Sequence, residues 1–202
     1  VDQALAIARH TQSDPAGGLA DAERMAERVE DFDRWHPEAL AMDVLIDRAR
    51  RIEQAGLEHD PAIDNSEGAS VSADAAIGVY ANSHGFVGSD RHTRYGQSCV
   101  LVARDDRGMQ RDWAWDDRLR FDALDEPERT GCEAARRAAR RLGARAAPGG
   151  RMPVLFVPEV AHGLVRHLVG AVSGGNLYRR SSFLVDAAGT QILRAFTHVG
   201  AL

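Results

Sequence analysis

Apolar positions follow two different periods along this chain. Val1, Leu5 and Ala8, with Ile7 close by, share one helical side of residues 1–10, and Arg9 and His10 stand at the carboxyl end where positive charge is best tolerated. Thr11 to Gly18 then concentrates Ser, Asp, Pro and Gly, which breaks regular structure and reads as a domain linker. Asp21 to His36 mixes both charges with Met25, Val29, Phe32 and Trp35, and a short helix or an exposed loop fits it equally well. Pro37-Glu38 predicts the next helix start. Leu40, Val44, Leu45, Ala49 and Ile52 follow at helical steps up to Gly56, with Asp60-Pro61 closing the segment.

From Ile63 the period shortens towards two. Residues 63–74, 76–81, 85–89 and 97–103 read as short β-prone runs separated by Asn, Ser, Gly and Asp. Asn82-Ser83-His84-Gly85 and Asp105-Asp106-Arg107-Gly108 read as turns, because Asn, Asp and Gly accept the backbone conformations that tight connections need. Met109 to Trp115 is a further strand, which makes an antiparallel meander.

The helical period returns at Glu126 to Gly143. Thr130 and Glu133 stand at capping-box spacing, Cys132, Ala135, Ala139 and Leu142 give a small-residue inner face, and Arg136, Arg137, Arg140, Arg141 and Arg145 crowd the outer one. A solvated face balanced by nearby acidic residues is the reading taken for that arginine cluster. Ala146 to Gly150 is a flexible break. Met152 to Val157 is expected to be a strand leading into a helix at Pro158, where a missing N–H is no loss and Glu159 favours the positive end of the macrodipole. Val160, Leu164, Val165, Leu168, Val169 and Val172 form its apolar stripe, Gly163 and Gly170 would admit another backbone, and Gly174-Gly175 would end it. Ser182–Val185 and Gln191–Leu193 are expected to be strands around a turn at Asp186–Gly189. The fold class is therefore α+β, helices plus an antiparallel strand meander, with no regular βαβ alternation.

Composition narrows the function classes. The 202 residues carry a formal net charge of −5, so nothing in the overall balance favours a phosphate backbone, and nucleic acid is not the expected partner. No apolar run approaches the roughly 20 residues of a membrane span, and the start lacks the form of a signal peptide, which predicts a cytoplasmic protein without membrane partners. Cys99 and Cys132 are too few for a disulfide framework or a thiolate zinc site and read as two buried thiols.

Histidine spacing decides the metal question on the Pro158 helix. A zinc helix carries two histidines at i and i+4 with a glutamate between them. His162 and His167 are five apart, Gly163 follows the first, and a straight helix turns the two rings well away from each other. Glu159 and His162 have the i, i+3 step of bundle carboxylate sites, but such a site needs two pairs. His84, Asp90, Arg91, His92 and Asp112 form a second set of polar residues, read as solvated loop positions.

The segment His167-Leu168-Val169-Gly170-Ala171, with Gly174-Gly175 and Tyr178-Arg179-Arg180-Ser181 after it, resembles the corresponding region of the PmbA (TldE) branch of the TldD/PmbA metallopeptidase family. Asn65-Ser66-Glu67-Gly68, Asn82-Ser83-His84-Gly85 and Gly108-Met109-Gln110-Arg111-Asp112 are similar to that family's central region. The resemblance covers the middle of such a protein, and with Val1 first it implies a partial chain: the end of an amino-terminal domain and linker at 1–18, a central α+β domain at 19–147 and the start of a carboxy-terminal domain at 148–202. In the TldD branch this region carries His-Glu-x-x-x-His. The Val-Gly step and the downstream Arg-Arg place Arg166 on the first histidine, His167 on the glutamate and Ala171 on the second histidine. A guanidinium stays protonated and alanine has no donor atom, so these positions form a degenerate motif.

The resemblance thus implies a zinc-motif-lacking subunit of a heterodimeric peptidase: no catalytic residue and no cofactor on this chain, zinc on a TldD-like catalytic partner, and an unfolded or small peptide as substrate. Arg179, Arg180 and Ser181 are the implied peptide-cleft residues. The alternative is a binding protein that modulates a nucleic-acid enzyme such as DNA gyrase, through the basic 136–145 helix.

Overall fold

In the computed structural model, which describes residues 1–12 and 17–193, the chain divides into two compact units, Val1–Arg145 and Ala146–Leu202. The 13–16 part of the expected linker lies outside the described residues.

In the first unit, α1 (Asp2–His10) is followed by an irregular stretch with one short 3-10 turn at Ala22–Arg24, and α2 runs Met42–His59. The second helix starts five residues after Pro37, because residues 34–38 have other work beside the sheet. Gly56 is inside it, not at its end. The expected short β runs merge into two strands of 19 residues, β1 (Ile63–Ala81) and β2 (Val87–Asp105), joined to β3 (Gly108–Arg118) in an antiparallel sheet of order β1-β2-β3. Together with the helices this is an α+β fold.

Both predicted turns are present, and side chains hold them. Asn82 Oδ1 accepts the amides of His84 at 3.0 Å and Phe86 at 3.3 Å; Asp105 Oδ1 accepts those of Arg107 at 2.9 Å and Gly108 at 3.0 Å. Gly85 and Gly108 supply the positive φ, 88° and 145°, that residues with a Cβ rarely adopt.

The core follows from period two on the strands meeting small residues on the helices. Cys99, Leu101 and Ala103 of β2 and Ala114 of β3 point to the face that α2 and α3 (Pro127–Arg140) cover with Ile52, Ala134, Ala135 and Ala138. Burial pushes the Cys99 thiol up to about 11, so it is an inert core atom at neutral pH. The capping box is not used: Pro127 opens α3 one turn before the expected cap, Thr130 is buried within the helix, and Glu133 binds Arg136 and Arg137. Three of the outer arginines, Arg136, Arg137 and Arg141, are balanced by acidic side chains, as expected of a solvated face. Arg137 Nε lies 2.6 Å from Glu133, and Arg141 Nη1 lies 3.2 Å from Asp112 on β3.

Buried polar groups tie the loops to β2. Thr93 donates to Leu119 O at 2.7 Å and receives the His36 amide at 3.1 Å, while the Tyr95 hydroxyl donates to His36 O and accepts the Glu38 amide, both at 2.9 Å. Residues 34–38 thereby continue the row that β3 leaves at Arg118, the last residue to pair with β2.

In the second unit, α4 spans Pro158–Ala171 and α5 spans Gly174–Tyr178. The start at Pro158 is as predicted. Its end comes at Ala171, and Gly174-Gly175 opens α5 in place of terminating α4. None of the three expected strands forms among the described residues: 152–157 has no regular secondary structure, and Ser182–Val185 and Gln191–Leu193 are turns and irregular chain. The turn at Asp186–Gly189 does form, with Thr190 donating its amide to Ala187 O at 3.0 Å. No helix among the described residues is long and apolar enough to cross a membrane.

Candidate functional site

The implied site lies on α4 and the turn after α5. Arg166, His162 and His167 are exposed along a continuous helix, and a five-residue step sets the two imidazoles about 140° apart around its axis. Ala171 is 9% exposed. Apart from the helix's own neighbouring backbone, no described atom comes within 4 Å of a Cβ built on Gly163 or Gly170, so neither glycine serves a close approach of another backbone among the described residues. Arg166 offers a guanidinium, His167 an imidazole and Ala171 a methyl group, and no three His, Cys, Asp or Glu side chains among the described residues converge to hold a metal ion. These residues do not fit a resident zinc ion.

The end of α4 is capped by side chains from the next segment. Asn176 Nδ2 donates to Gly170 O at 2.8 Å, and Ser182 Oγ donates to Ala171 O at 2.7 Å, satisfying carbonyls that have no partner within the helix. The same segment shapes the Arg179-Arg180-Ser181 turn. Arg180 has φ +53°, its amide reaches Leu177 O at 3.0 Å and the Ser181 amide reaches Asn176 O at 2.9 Å, the two bonds of a left-handed helix cap. Glycine ordinarily fills that position; here an arginine does. Its Nη2 lies 3.3 Å from Asp186, itself at φ +62°, while the Arg179 guanidinium lies over Gly175, 3.2 Å from where a Cβ would be. The Ser181 hydroxyl is turned back onto Asn176 O at 3.2 Å and is committed to the turn.

Beside this turn is a cavity of about 560 Å³ lined by Val172, Leu177, Tyr178, Leu184, Val185 and Ile192 together with the charged pair Arg180 and Asp186. A mostly apolar lining that includes a guanidinium can take an apolar side chain and pair a carboxylate.

The second polar set does not assemble into a site. Asp90 and His92 lie on the central strand β2, with His92 Nδ1 3.8 Å from Asp90; Arg34 binds Asp90 at 2.5 Å, Arg91 stacks over Trp35, and Asp112, on the edge strand β3, pairs with Arg141 at the end of α3. His84 stays in the hairpin turn.

This arrangement of long hairpin and helices has been seen before. A crystal structure of a proposed modulator of DNA gyrase from Bacteroides thetaiotaomicron superposes with TM-score 0.81 at 22% identity, covering 91% of this chain and 43% of that one. A second, from Thermotoga maritima and likewise described, gives 0.69 at 19% identity over 94% and 42%. These likenesses establish the fold. The model of the PmbA/TldA metallopeptidase central domain matches residues 35–142, and that of the C-terminal domain matches residues 149–199. The chain belongs to the PmbA/TldA metallopeptidase family. Metalloprotease PmbA of Escherichia coli O157:H7 is 42% identical to it over 193 residues, and the Metalloprotease PmbA homolog of Haemophilus influenzae is 37% identical over the same length. The chain spans 43% of the length of each.

Proposed function

We propose that this chain is part of the zinc-motif-lacking subunit of a heterodimeric peptidase, which helps hold an unfolded or small peptide while a TldD-like subunit supplies the zinc. The observation that carries the reading is the chemistry at the three motif positions: Arg166, His167 and Ala171 present one usable donor between them. The contribution left to this chain is binding. Arg179 and Arg180 offer cations to a peptide carboxylate beside an apolar recess, and Ser181 holds the turn that presents them.

Two measurements test this. Plasma emission spectrometry on the dialysed protein is expected to find far less than one zinc per chain; stoichiometric retained zinc would refute the reading. In a peptide-cleavage assay on the full-length protein co-expressed with a TldD-type subunit, activity is expected only from the pair.

Arg180 gives a sharper prediction. Replacing it with glycine removes left-handed strain of roughly 1–2 kcal/mol, against the flexibility glycine adds to the unfolded chain and an exposed ion pair of small worth. Stability is therefore expected within about 1 kcal/mol of the parent. Peptide cleavage by the pair should fall roughly tenfold, the scale of one lost charge-assisted hydrogen bond. Unchanged cleavage would remove Arg180 from the cleft.

The second reading, modulation of a nucleic-acid enzyme such as DNA gyrase, draws on the descriptions of the two solved structures. The pairing of Arg136, Arg137 and Arg141 with acidic side chains weighs against it. Salt-dependent binding to DNA or gyrase without a TldD-like subunit would favour it.

A further inference from the structure

Arg180 holds a backbone conformation, φ +53°, that a residue with a Cβ keeps only where its surroundings impose it. Its ion pair with Asp186 joins two exposed groups and can impose little. The turn is closed instead on Asn176. The Ser181 amide donates to Asn176 O at 2.9 Å, and the Ser181 hydroxyl donates to the same oxygen at 3.2 Å. The Asn176 side chain reaches the other way: Nδ2 donates to Gly170 O at 2.8 Å, one residue before Ala171. A continuous path of hydrogen bonds therefore runs from the end of α4, through Asn176, to Ser181 and the arginine beside it. The covalent path is looser. It passes through Gly174 and Gly175, whose backbones are the freest of any residue, into a helix of five residues with no buried side chain.

We propose that Asn176 is a positioning residue for peptide binding, fixing the Arg180 guanidinium relative to α4 and acting through it, not on the peptide. The inference rests on the reading of Arg180 as a peptide contact. Asn176 suits the task by its chemistry, because one short amide serves both ends: Nδ2 donates to the helix while Oδ1 lies 3.4 Å from Ser181 Oγ. An aspartate of the same shape would set its carboxylate against the Gly170 carbonyl, two acceptors with no proton between them, whereas glutamine keeps the donor on a longer stem.

The test uses the full-length protein co-expressed with a TldD-type subunit and reads KM and kcat for peptide cleavage. With the zinc on the other subunit, lost positioning weakens binding alone. Asn176→Ala and Asn176→Asp are each expected to raise KM about fivefold, the scale of one hydrogen bond, with kcat unchanged, and Asn176→Gln should recover part of the loss. Adding Asn176→Ala to Arg180→Gly should raise KM no further than Arg180→Gly does by itself, because the two act as one unit. Asn176→Asp, which keeps the parent's shape, carries the test if the alanine variant fails to fold. A lowered urea midpoint with the parent's KM would make Asn176 a helix cap and nothing more. That result, or effects of Asn176→Ala and Arg180→Gly that multiply in the double variant, would overturn the assignment while leaving Arg180 as a peptide contact. A KM indifferent to Arg180→Gly would remove both.

Discussion

Replacing Gly131 by alanine is expected to destabilise the first unit by about 3 kcal/mol, the upper range for forcing extra volume into a packed core. α2 and α3 cross at a contact between two glycines, and the space there is already filled by backbone. A Cβ on Gly131 would lie 2.0 Å from Ile52 O and 2.9 Å from the Gly56 nitrogen, atoms fixed within α2 by their own helix. Neither can yield without moving the helix, so the crossing must open and lose contacts among Ile52, Ala134, Ala135 and Ala138. Gly56→Ala is a graded companion. Its Cβ would meet Leu101 Cδ1 at 2.6 Å, a side-chain end that can rotate, and Gly131 O at 3.0 Å, so a smaller loss, of about 1–2 kcal/mol, is expected. Urea titrations of both variants check the order. Equal stability of Gly131→Ala and the parent would mean that the helices do not approach this closely.

That crossing was invisible in the sequence, where Gly56 reads as a helix end, and the reason is general to this chain. Local chemistry was legible. Asn82 and Asp105 bond their own loops, Pro158 sets a helix start, and the period of α2 and α3 follows from their own residues. Features that depend on a distant partner were not. Met152–Val157 has the apolar content of a strand but no neighbour to pair with among the described residues, whereas residues 72–92 look discontinuous and yet form one long hairpin because each strand supplies the other's ladder. Thr130 and Glu133 match a capping box, but Pro127 starts α3 earlier and leaves the threonine facing Gln97. In the candidate site the motif residues could be placed by resemblance. The left-handed Arg180 could not, because sequence leads one to expect glycine at such a cap.

Gln97 shows the same limit and carries the second large effect. It occupies an inward position of β2 between Tyr95 and Cys99, where an apolar residue is the simple expectation, and it is 2% exposed. Its amide is fully used: Nε2 donates to Asp125 O at 2.9 Å and to Thr130 Oγ1 at 2.7 Å, and Oε1 accepts Arg48 Nε at 2.7 Å. Arg48 also reaches Asp125 O and lies 5.2 Å from the centre of the Phe121 ring; burial lowers its pKa but leaves it cationic. Asp116, 8% exposed, accepts the Asp125 amide at 2.8 Å and pairs with Arg118 at 2.9 Å, so the loop that leads into α3 hangs from these side chains. Gln97→Leu keeps the volume and strands the Thr130 hydroxyl and a guanidinium donor. Leaving such groups unpaired costs about 1–3 kcal/mol each, more for the charged one, and a total near 4 kcal/mol is expected. Gln97→Glu separates charge from shape. It offers Arg48 a carboxylate but loses the donor to Asp125 O and Thr130, so it should recover part of the loss and make stability fall as pH drops through the range in which that carboxylate protonates. If Gln97→Leu unfolds at the parent's urea midpoint, the loop before α3 is held by something other than this network.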